Sequence, residues 1–338
     1  MELTEYKDYP LPAYYKGIME PPEPKLSKFD DNLQKVLKDK RGYLLDIKKK
    51  YDYPKMLMDM LELINVALLE DNNKDIDYLF YQALNDVEIV VEARESNEIF
   101  KDYNIYGPNE DCSGMFTLPS PIFNKYDITY QQSKILIGLL QEGFPVTRIN
   151  FLDTLTHELK HAINSINNSK IKVTDKMVYI RSGIAEFFMT NNGMGTSKSD
   201  LLDEVFNVCF TEKIIDQILS YKFYNLDNEF LKRIHTRDIT RNYFSEAYTF
   251  ERELTYPLTQ NKELLEIIKQ ACLSGELETL KQFFPINYNA YNKKLDSLSE
   301  QYGKYLDYCY LNKKQKFKKN FEENIEDFKE KTLQIAKQ

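Results

Sequence analysis

The sequence is short of several residue types and patterns that would point to particular classes of protein. It has 3 histidines, 4 cysteines and no tryptophan among 338 residues. The cysteines (Cys112, Cys209, Cys272 and Cys309) are far apart and form no C-x-x-C pair, which favours reduced, mostly buried thiols over a disulfide framework. The longest apolar runs are much shorter than the roughly 20 residues that cross a bilayer, so we expect no membrane span.

Basic residues are also outnumbered in this chain. There are 45 Lys and Arg against 53 Asp and Glu, a net charge of -8. Because phosphate binding needs a basic face, the sequence predicts no nucleic-acid partner. Residues 1–25 have neither the basic start nor the apolar segment of a secretory signal, so we expect a cytoplasmic protein, with export without a signal as the alternative.

Local patterns divide the chain into three regions. Residues 1–25 contain five prolines and little periodicity, which predicts an extended N-terminal arm. Residues 26–105 predict an N-terminal helical region with a strand at 87–93. Residues 106–338 form the third predicted region, whose C-terminal half has helical spacing almost throughout.

The strands predicted in the third region are short. The segment "GMFTL" (114–118) is typical of a strand, and Pro119 and Pro121 would confine it to a sheet edge. The segment 170–190 is rich in β-branched and aromatic residues and predicts a pair of strands. These features indicate an α+β fold that is predominantly helical and has a small sheet.

Three further segments complete this outline. The segment "YQQSKILIGLLQEG" (130–143) is predicted to be a helix that ends at its glycine. Residues 191–200 ("NNGMGTSKSD") are predicted to be a loop. A helix capped by Ser199 or Asp200 is expected to follow at about 201–221.

The segment "INFLDTLTHELKHAINSINN" (149–168) contains two of the three histidines, His157 and His161. Its apolar residues recur with helical spacing, and Asn150 is the predicted N-cap. Residues four apart on a helix lie about 6 Å apart on one face, so both imidazoles can bind one metal ion about 2 Å away. Glu158 is rotated by about 100° from His157 and can accept a proton from metal-bound water without being a ligand.

Two surface histidines that merely share a helix face are the structural alternative. Leu, Thr and Ala flank the pair, so the imidazoles are expected near a core, where an imidazole without a partner is unfavourable. The spacing H-E-x-x-H is that of a zinc hydrolase. We therefore predict one Zn²⁺ per chain, held in part by His157 and His161.

Residues 150–212 resemble the active-site core of the zincin metallopeptidases. The resemblance implies a sheet edge above the motif helix, a later helix that carries the third ligand, and zinc endopeptidase activity with Glu158 as general base. It makes residues 106–338 a zincin-like metallopeptidase region. Asn164 and Asn167 stand where the extended metzincin motif has Gly and His, so a glutamate ligand is expected, which is similar to the gluzincin branch.

Three downstream glutamates compete for the role of third ligand: Glu186, Glu204 and Glu212. Asp203-Glu204 resembles the Asn-Glu of the ligand helix in thermolysin-like enzymes. Val208 replaces the aspartate that supports the first histidine there, and Asn207 is the candidate substitute. We predict Glu204, because a ligand on a helix packed beside the motif helix is held stiffly.

Hydrolysis of a peptide bond also needs a group that stabilises the developing oxyanion. Tyr248 is the predicted residue, with Tyr243 and His235 as alternatives. The peptide or protein substrate is expected to add as a strand to the edge segment at 114–118.

Two other functions fit parts of this pattern. One is a zinc-binding protein-interaction module in which catalysis is vestigial or absent, although a purely structural site needs no general base. The other is a peptide deformylase, which has H-E-x-x-H and an upstream cysteine ligand. Cys112 is suitably placed for that ligand, but the segment G-x-G-x-A-A-x-Q is missing and the chain is too long.

Overall fold

The structure is a computed structural model. It describes residues 50–51, 55–70, 74–103, 105, 113–119, 121–124, 128–141, 144–146, 148–166, 170–190, 193–220, 248–274, 277–284, 287–310 and 314–337. The predicted N-terminal arm (1–25) and most of the first predicted helix (26–50) lie outside these residues. The predicted boundary at residue 105 stays a prediction.

In chain order, the elements are α1 (Lys55–Glu70), α2 (Lys74–Asp86), β1 (Glu88–Glu95), α3 (Ser96–Asp102), β2 (Gly114–Thr117), β3 (Pro121–Phe123), β4 (Ile128–Tyr130), β5 (Lys134–Gln141), β6 (Phe144–Pro145), α4 (Arg148–Ser165), β7 (Lys170–Thr174), β8 (Met177–Ser182), β9 (Ala185–Thr190), β10 (Gly193–Lys198), α5 (Asp200–Ser220), α6 (Thr249–Gln260), α7 (Lys262–Ser274), α8 (Glu278–Phe283), α9 (Tyr288–Tyr310) and α10 (Gln315–Ala336). Helices predominate over short strands, which confirms the prediction of a mainly helical α+β protein.

The described residues form two compact units, and α5 contributes to both. Residues 210–220 of α5 belong to the first unit, together with α1, α2, β1, α3, β2, β5, β6 and α4. Residues 200–209 belong to the second unit, together with β3, most of β4, β7 to β10 and the helices from α6 onwards.

The sheet of the first unit has β5 between β1 and β2. β5 runs parallel to β1 and antiparallel to β2, and the short β6 pairs with its end. The predicted helix at 130–143 is therefore wrong. Its apolar residues are continuous because a strand in the middle of a sheet is buried on both faces, so the run lacks the alternation that would distinguish it from a buried helix. The prediction that 114–118 forms an edge strand is confirmed by β2.

The helix α4 packs against this sheet and against α2. It begins at Arg148, so Asn150 lies in its first turn and is not the N-cap that the sequence predicted. Its buried apolar side chains recur at helical spacing: Phe151, Leu152, Leu155, Leu159, Ala162 and Ile163. This face anchors the helix and fixes which direction its histidines point.

The sheet of the second unit is an antiparallel meander in the order β10-β9-β8-β7. The prediction of strands at 170–190 is confirmed, with three strands instead of two. The predicted loop at 191–200 is wrong, because Gly193–Lys198 forms the outer strand β10 on β9. Main-chain hydrogen bonds form that pairing, so the weak strand propensity of its glycines did not prevent it.

The helices of the second unit enclose an aromatic core. The predicted apolar stripe on α10 is confirmed as a packing face, since Phe321 and Phe328 are 1% exposed and Phe317 and Ile325 pack beside them. Within the described ranges, every helix is too short or too polar to cross a lipid bilayer. Cys309 is exposed, which corrects the expectation of buried thiols at that position.

Candidate metal centre

His157 and His161 are half-buried on α4, one helical turn apart. Their Nε2 atoms are 3.1 Å apart, and the ring centroids are 4.8 Å apart with the planes at 75°. Two nitrogens that bind one tetrahedral zinc at about 2.0–2.1 Å would be separated by roughly 3.3 Å. The two Nε2 atoms therefore already have a spacing that suits a shared ion.

Glu204 on α5 completes a group with these histidines. One ligand atom from each of His157, His161 and Glu204 lies within 4.8 Å of the other two, close enough to bind a metal ion. Two neutral imidazoles and one carboxylate form the donor set of a common class of catalytic zinc site, and they leave a fourth position open. The residues present fit zinc.

The two competing glutamates are outside this group. Among the described residues, neither Glu186 nor Glu212 belongs to a three-residue cluster that could hold a metal. Glu186 lies on β9 and accepts a hydrogen bond from the Tyr179 hydroxyl at 2.8 Å. Burial, and next the hydrogen bond to Glu186, raise the pKa of Tyr179 above its ordinary value, so this hydroxyl stays protonated and remains a donor.

The start of α5 is fixed by the buried side chain next to Glu204. Asp203 is 3% exposed, and its Oδ1 accepts the backbone N–H of Ile184 at 2.9 Å. Its Oδ2 accepts a hydrogen bond from the amide of Asn207 at 3.2 Å. Asp203 thus joins the β8–β9 turn to the helix that carries Glu204. The predicted role of Asn207 beside the first histidine stays a prediction.

Glu158 is 8% exposed and lies under the edge strand β2. Its Oε2 accepts the backbone N–H of Phe116 at 2.6 Å. A short bond from an N–H to a carboxylate is stronger than one between neutral groups. The carboxylate next to His157 in the chain is therefore held by the main chain of the sheet edge. The sequence could not predict this contact, because a backbone amide leaves no trace in the residue types.

A second buried polar residue lies inside the motif, and unlike Glu158 it was not predicted from the sequence. Lys160 is 7% exposed, and its Nζ donates to the Asn164 side-chain oxygen at 2.7 Å. The same ammonium lies 4.6 Å from the centre of the Phe210 ring on α5. Such a cation–π contact stabilises a buried ammonium, and here it joins α4 to the 210–220 half of α5. The spacing of Lys160 and Asn164, four residues apart, was the available signal.

Of the three candidate oxyanion residues, Tyr248 lies among the residues that the structure describes. Tyr248 directly precedes α6 and has the left-handed backbone conformation (φ 57°). His235 and Tyr243 lie outside the described residues, as does Cys112, the possible ligand in the deformylase alternative. The role of Tyr248 stays a prediction.

Comparison with protein-family models, with curated proteins and with solved structures finds no match. The case for a function therefore rests on the residues of this chain.

Proposed function

We propose that this protein is a zinc-dependent metallopeptidase. The observation that carries the proposal is the group formed by His157, His161 and Glu204, whose ligand atoms lie within 4.8 Å of one another. Support also comes from Glu158, a buried carboxylate that follows the first of these residues and is hydrogen-bonded to a strand edge. Two histidines that merely share a helix face do not require this additional carboxylate, and a purely structural zinc site does not require it either.

In this proposal His157, His161 and Glu204 hold the zinc. Zinc bound there supplies a Lewis acid that makes water a nucleophile near neutral pH. Glu158 accepts the proton of the attacking water and passes it to the leaving amine. A carboxylate can accept several hydrogen bonds, so the bond from Phe116 leaves capacity for this proton.

The substrate of this proposed reaction is a peptide in extended conformation. The sheet of the first unit has β1 and β2 as its outer strands. Of these two, β2 lies against α4, the helix that carries the motif. An extended peptide can pair with such an edge through main-chain hydrogen bonds, which gives affinity with little dependence on sequence. The scissile bond would then lie close to Glu158.

A zinc-binding module without catalysis is the second candidate, and one contact favours it. The hydrogen bond from Phe116 gives Glu158 a structural role, so a carboxylate could persist there without being a base. The two candidates differ in what happens when only the basicity of this side chain is removed.

Glu158→Gln makes that distinction. Glutamine keeps a side-chain oxygen for the Phe116 N–H but is a very poor proton acceptor, so zinc content and fold should match those of the parent protein. Cleavage of unfolded casein by the zinc-loaded protein should fall by roughly 10²–10⁴-fold. Glu212→Gln, a half-buried glutamate on α5 outside the metal group, is the matched control and should cleave as the parent does.

A zinc chelator gives the second arm of this experiment. It should abolish cleavage by the parent while the folded state persists, as measured by circular dichroism. A Glu158→Gln protein that cleaves within tenfold of the parent contradicts the general-base role. A parent protein that binds zinc but does not cleave casein, and unfolds when chelated, supports the module instead.

A further inference from the structure

The strand β2 comes closer to the helix α4 than any side chain at its first residue would permit. A Cβ atom built on Gly114 would lie 2.4 Å from Cγ2 of Thr154 and 3.4 Å from Cγ of Glu158. Carbon atoms in non-bonded contact approach to about 3.5–4.0 Å, so the first of these distances is a clash. Thr154 is short and branched at Cβ, and it has little freedom to move aside on a helix.

Thr154 and Glu158 are four residues apart on α4 and therefore lie on the same face of that helix. Gly114 contacts this face directly, and Phe116, two residues further along β2, donates its N–H to Glu158. The short distance at Gly114 is thus what brings the Phe116 amide within hydrogen-bonding range of the carboxylate.

The residue before Gly114, Ser113, is held in place by Ser96. The hydroxyl of Ser96, which is buried, donates to the carbonyl oxygen of Ser113 at 2.7 Å. The hydroxyl oxygen of Ser96 in turn accepts the backbone N–H of Gly138 on β5 at 3.0 Å. The start of β2 is therefore tied both to β5 and to the start of α3, so it cannot easily withdraw from α4.

The pairing of β2 with β5 explains why the Phe116 amide is directed at a side chain. Phe116 is opposite Ile135 in an antiparallel ladder. Residues in such a strand alternate between those that bond the neighbouring strand and those whose N–H and C=O point the other way. The bond from Phe116 to Glu158 places Phe116 in the second class, with its N–H at the outer edge of the sheet.

We propose that Gly114 is a positioning residue for Glu158: its missing side chain lets β2 approach α4, so that the Phe116 amide fixes the carboxylate. Gly114 does not touch the reacting atoms and acts through the strand. The kinetic consequence rests on the proposed peptidase function, whereas the position of the carboxylate does not.

The test uses Gly114→Ala, Thr154→Ala and the double variant. The added Cβ of Gly114→Ala should push β2 away and break the hydrogen bond from Phe116. Thr154→Ala removes Cγ2, the atom that the new Cβ would meet at 2.4 Å. The double variant should therefore restore the contact, and Thr154→Ala alone should resemble the parent.

The first measurement is hydrogen exchange of the Phe116 amide in the metal-free protein. Exchange should be at least tenfold faster in Gly114→Ala than in the parent, and it should return toward the parent rate in the double variant. Glu158→Ala should also expose this amide, whereas Glu158→Gln should keep it protected. Unchanged exchange in Gly114→Ala, or no recovery in the double variant, overturns the proposal.

The second measurement is casein cleavage at matched zinc content. Displacement of a reacting group by about 1 Å can cost up to 10²-fold in rate, so kcat of Gly114→Ala should fall by roughly 10- to 100-fold and recover in the double variant. Fast exchange at Phe116 with unchanged kcat in Gly114→Ala overturns the positioning role. If the exchange results hold but the parent cleaves nothing, the position of Glu158 is supported and the peptidase function fails.

Discussion

Different kinds of contact stabilise the interior of the sheet region that contains β2 and α4 and the interior of the helical region at 249–336. Around β2 the contacts are polar and involve the main chain: Ser96 bonds Ser113, and Phe116 bonds Glu158. The helical region depends on stacked aromatic rings, for example Phe250 and Tyr302, with centroids 4.0 Å apart and planes at 7°.

Because of this difference, the helical region should contribute mainly to stability, and the region of β2 and α4 mainly to the position of the site residues. Aromatic contacts bury large areas, and the hydrophobic effect that supplies most of their stabilisation is non-directional. Hydrogen bonds lose strength when their geometry changes, so they define positions more sharply than they add stability. We therefore expect changes in the helical region to act mainly on the free energy of unfolding, and changes near β2 and α4 to act mainly on zinc and activity.

The largest effect on stability should follow Phe328→Ala in the helical region. Phe328 is 1% exposed and stacks on Tyr291 with centroids 4.7 Å apart. Removing such a buried ring should lower the free energy of unfolding by about 3–5 kcal/mol in a urea titration. Leu333→Ala on the same helix, which is 43% exposed, should change it by less than about 0.5 kcal/mol. A Phe328→Ala protein that folds but has lost zinc affinity would contradict the expectation that the helical region affects stability and not zinc binding.

The next largest effect is on zinc affinity, and it should be confined to substitutions of His157, His161 and Glu204. His161→Ala and Glu204→Ala should each weaken zinc binding by more than the roughly 100-fold that loss of an outer-shell partner can cost. Stability of the metal-free protein should change little, because both side chains are half-buried. Glu212→Ala is the control and should bind zinc as the parent does. Equal zinc by elemental analysis in Glu204→Ala and the parent, with loss in Glu212→Ala, would refute the assignment.

A smaller effect on stability is expected at a polar contact in the second unit. Asp203→Ala leaves the buried N–H of Ile184 without this acceptor, which should cost about 1–3 kcal/mol in the free energy of unfolding. Asp216→Ala, an exposed change on the same helix, should stay within about 0.5 kcal/mol of the parent. A loss of stability at Asp203 no larger than that at Asp216 would show that polar contacts carry little weight there.

The parts of the molecule that the sequence predicted are those determined by local spacing. The helix α4 and the approach of His157 to His161 follow from a four-residue separation. Glu204 was predicted on a different ground, a resemblance and the stiffness of a ligand held on a helix; it lies close to both histidines, and its role as a ligand stays a prediction. Regular helices can be predicted in this way because their side-chain positions repeat along the chain.

The parts that the sequence did not predict depend on partners far away in the chain. β5 has the apolar run of a buried helix, and only its neighbours β1 and β2 make it a strand. β10 contains glycines typical of a loop, and its pairing with β9 uses main-chain groups that every residue has. The contact of Phe116 with Glu158 spans 42 residues and likewise uses a backbone donor.

The hydrogen bond between Phe116 and Glu158 has one more consequence, for self-association. A strand at the edge of a sheet offers unpaired main-chain groups on which a second copy of a protein can build a continuous intermolecular sheet. β2 is only 4 residues long, one of its outward amides is taken by Glu158, and Pro119 and Pro121 just beyond it have no N–H to offer. Short edge strands, proline and blocked donors all discourage such growth. The contact that orients a carboxylate thus also discourages a continuous intermolecular sheet at this edge, whereas a single short substrate peptide needs only a few of its main-chain groups.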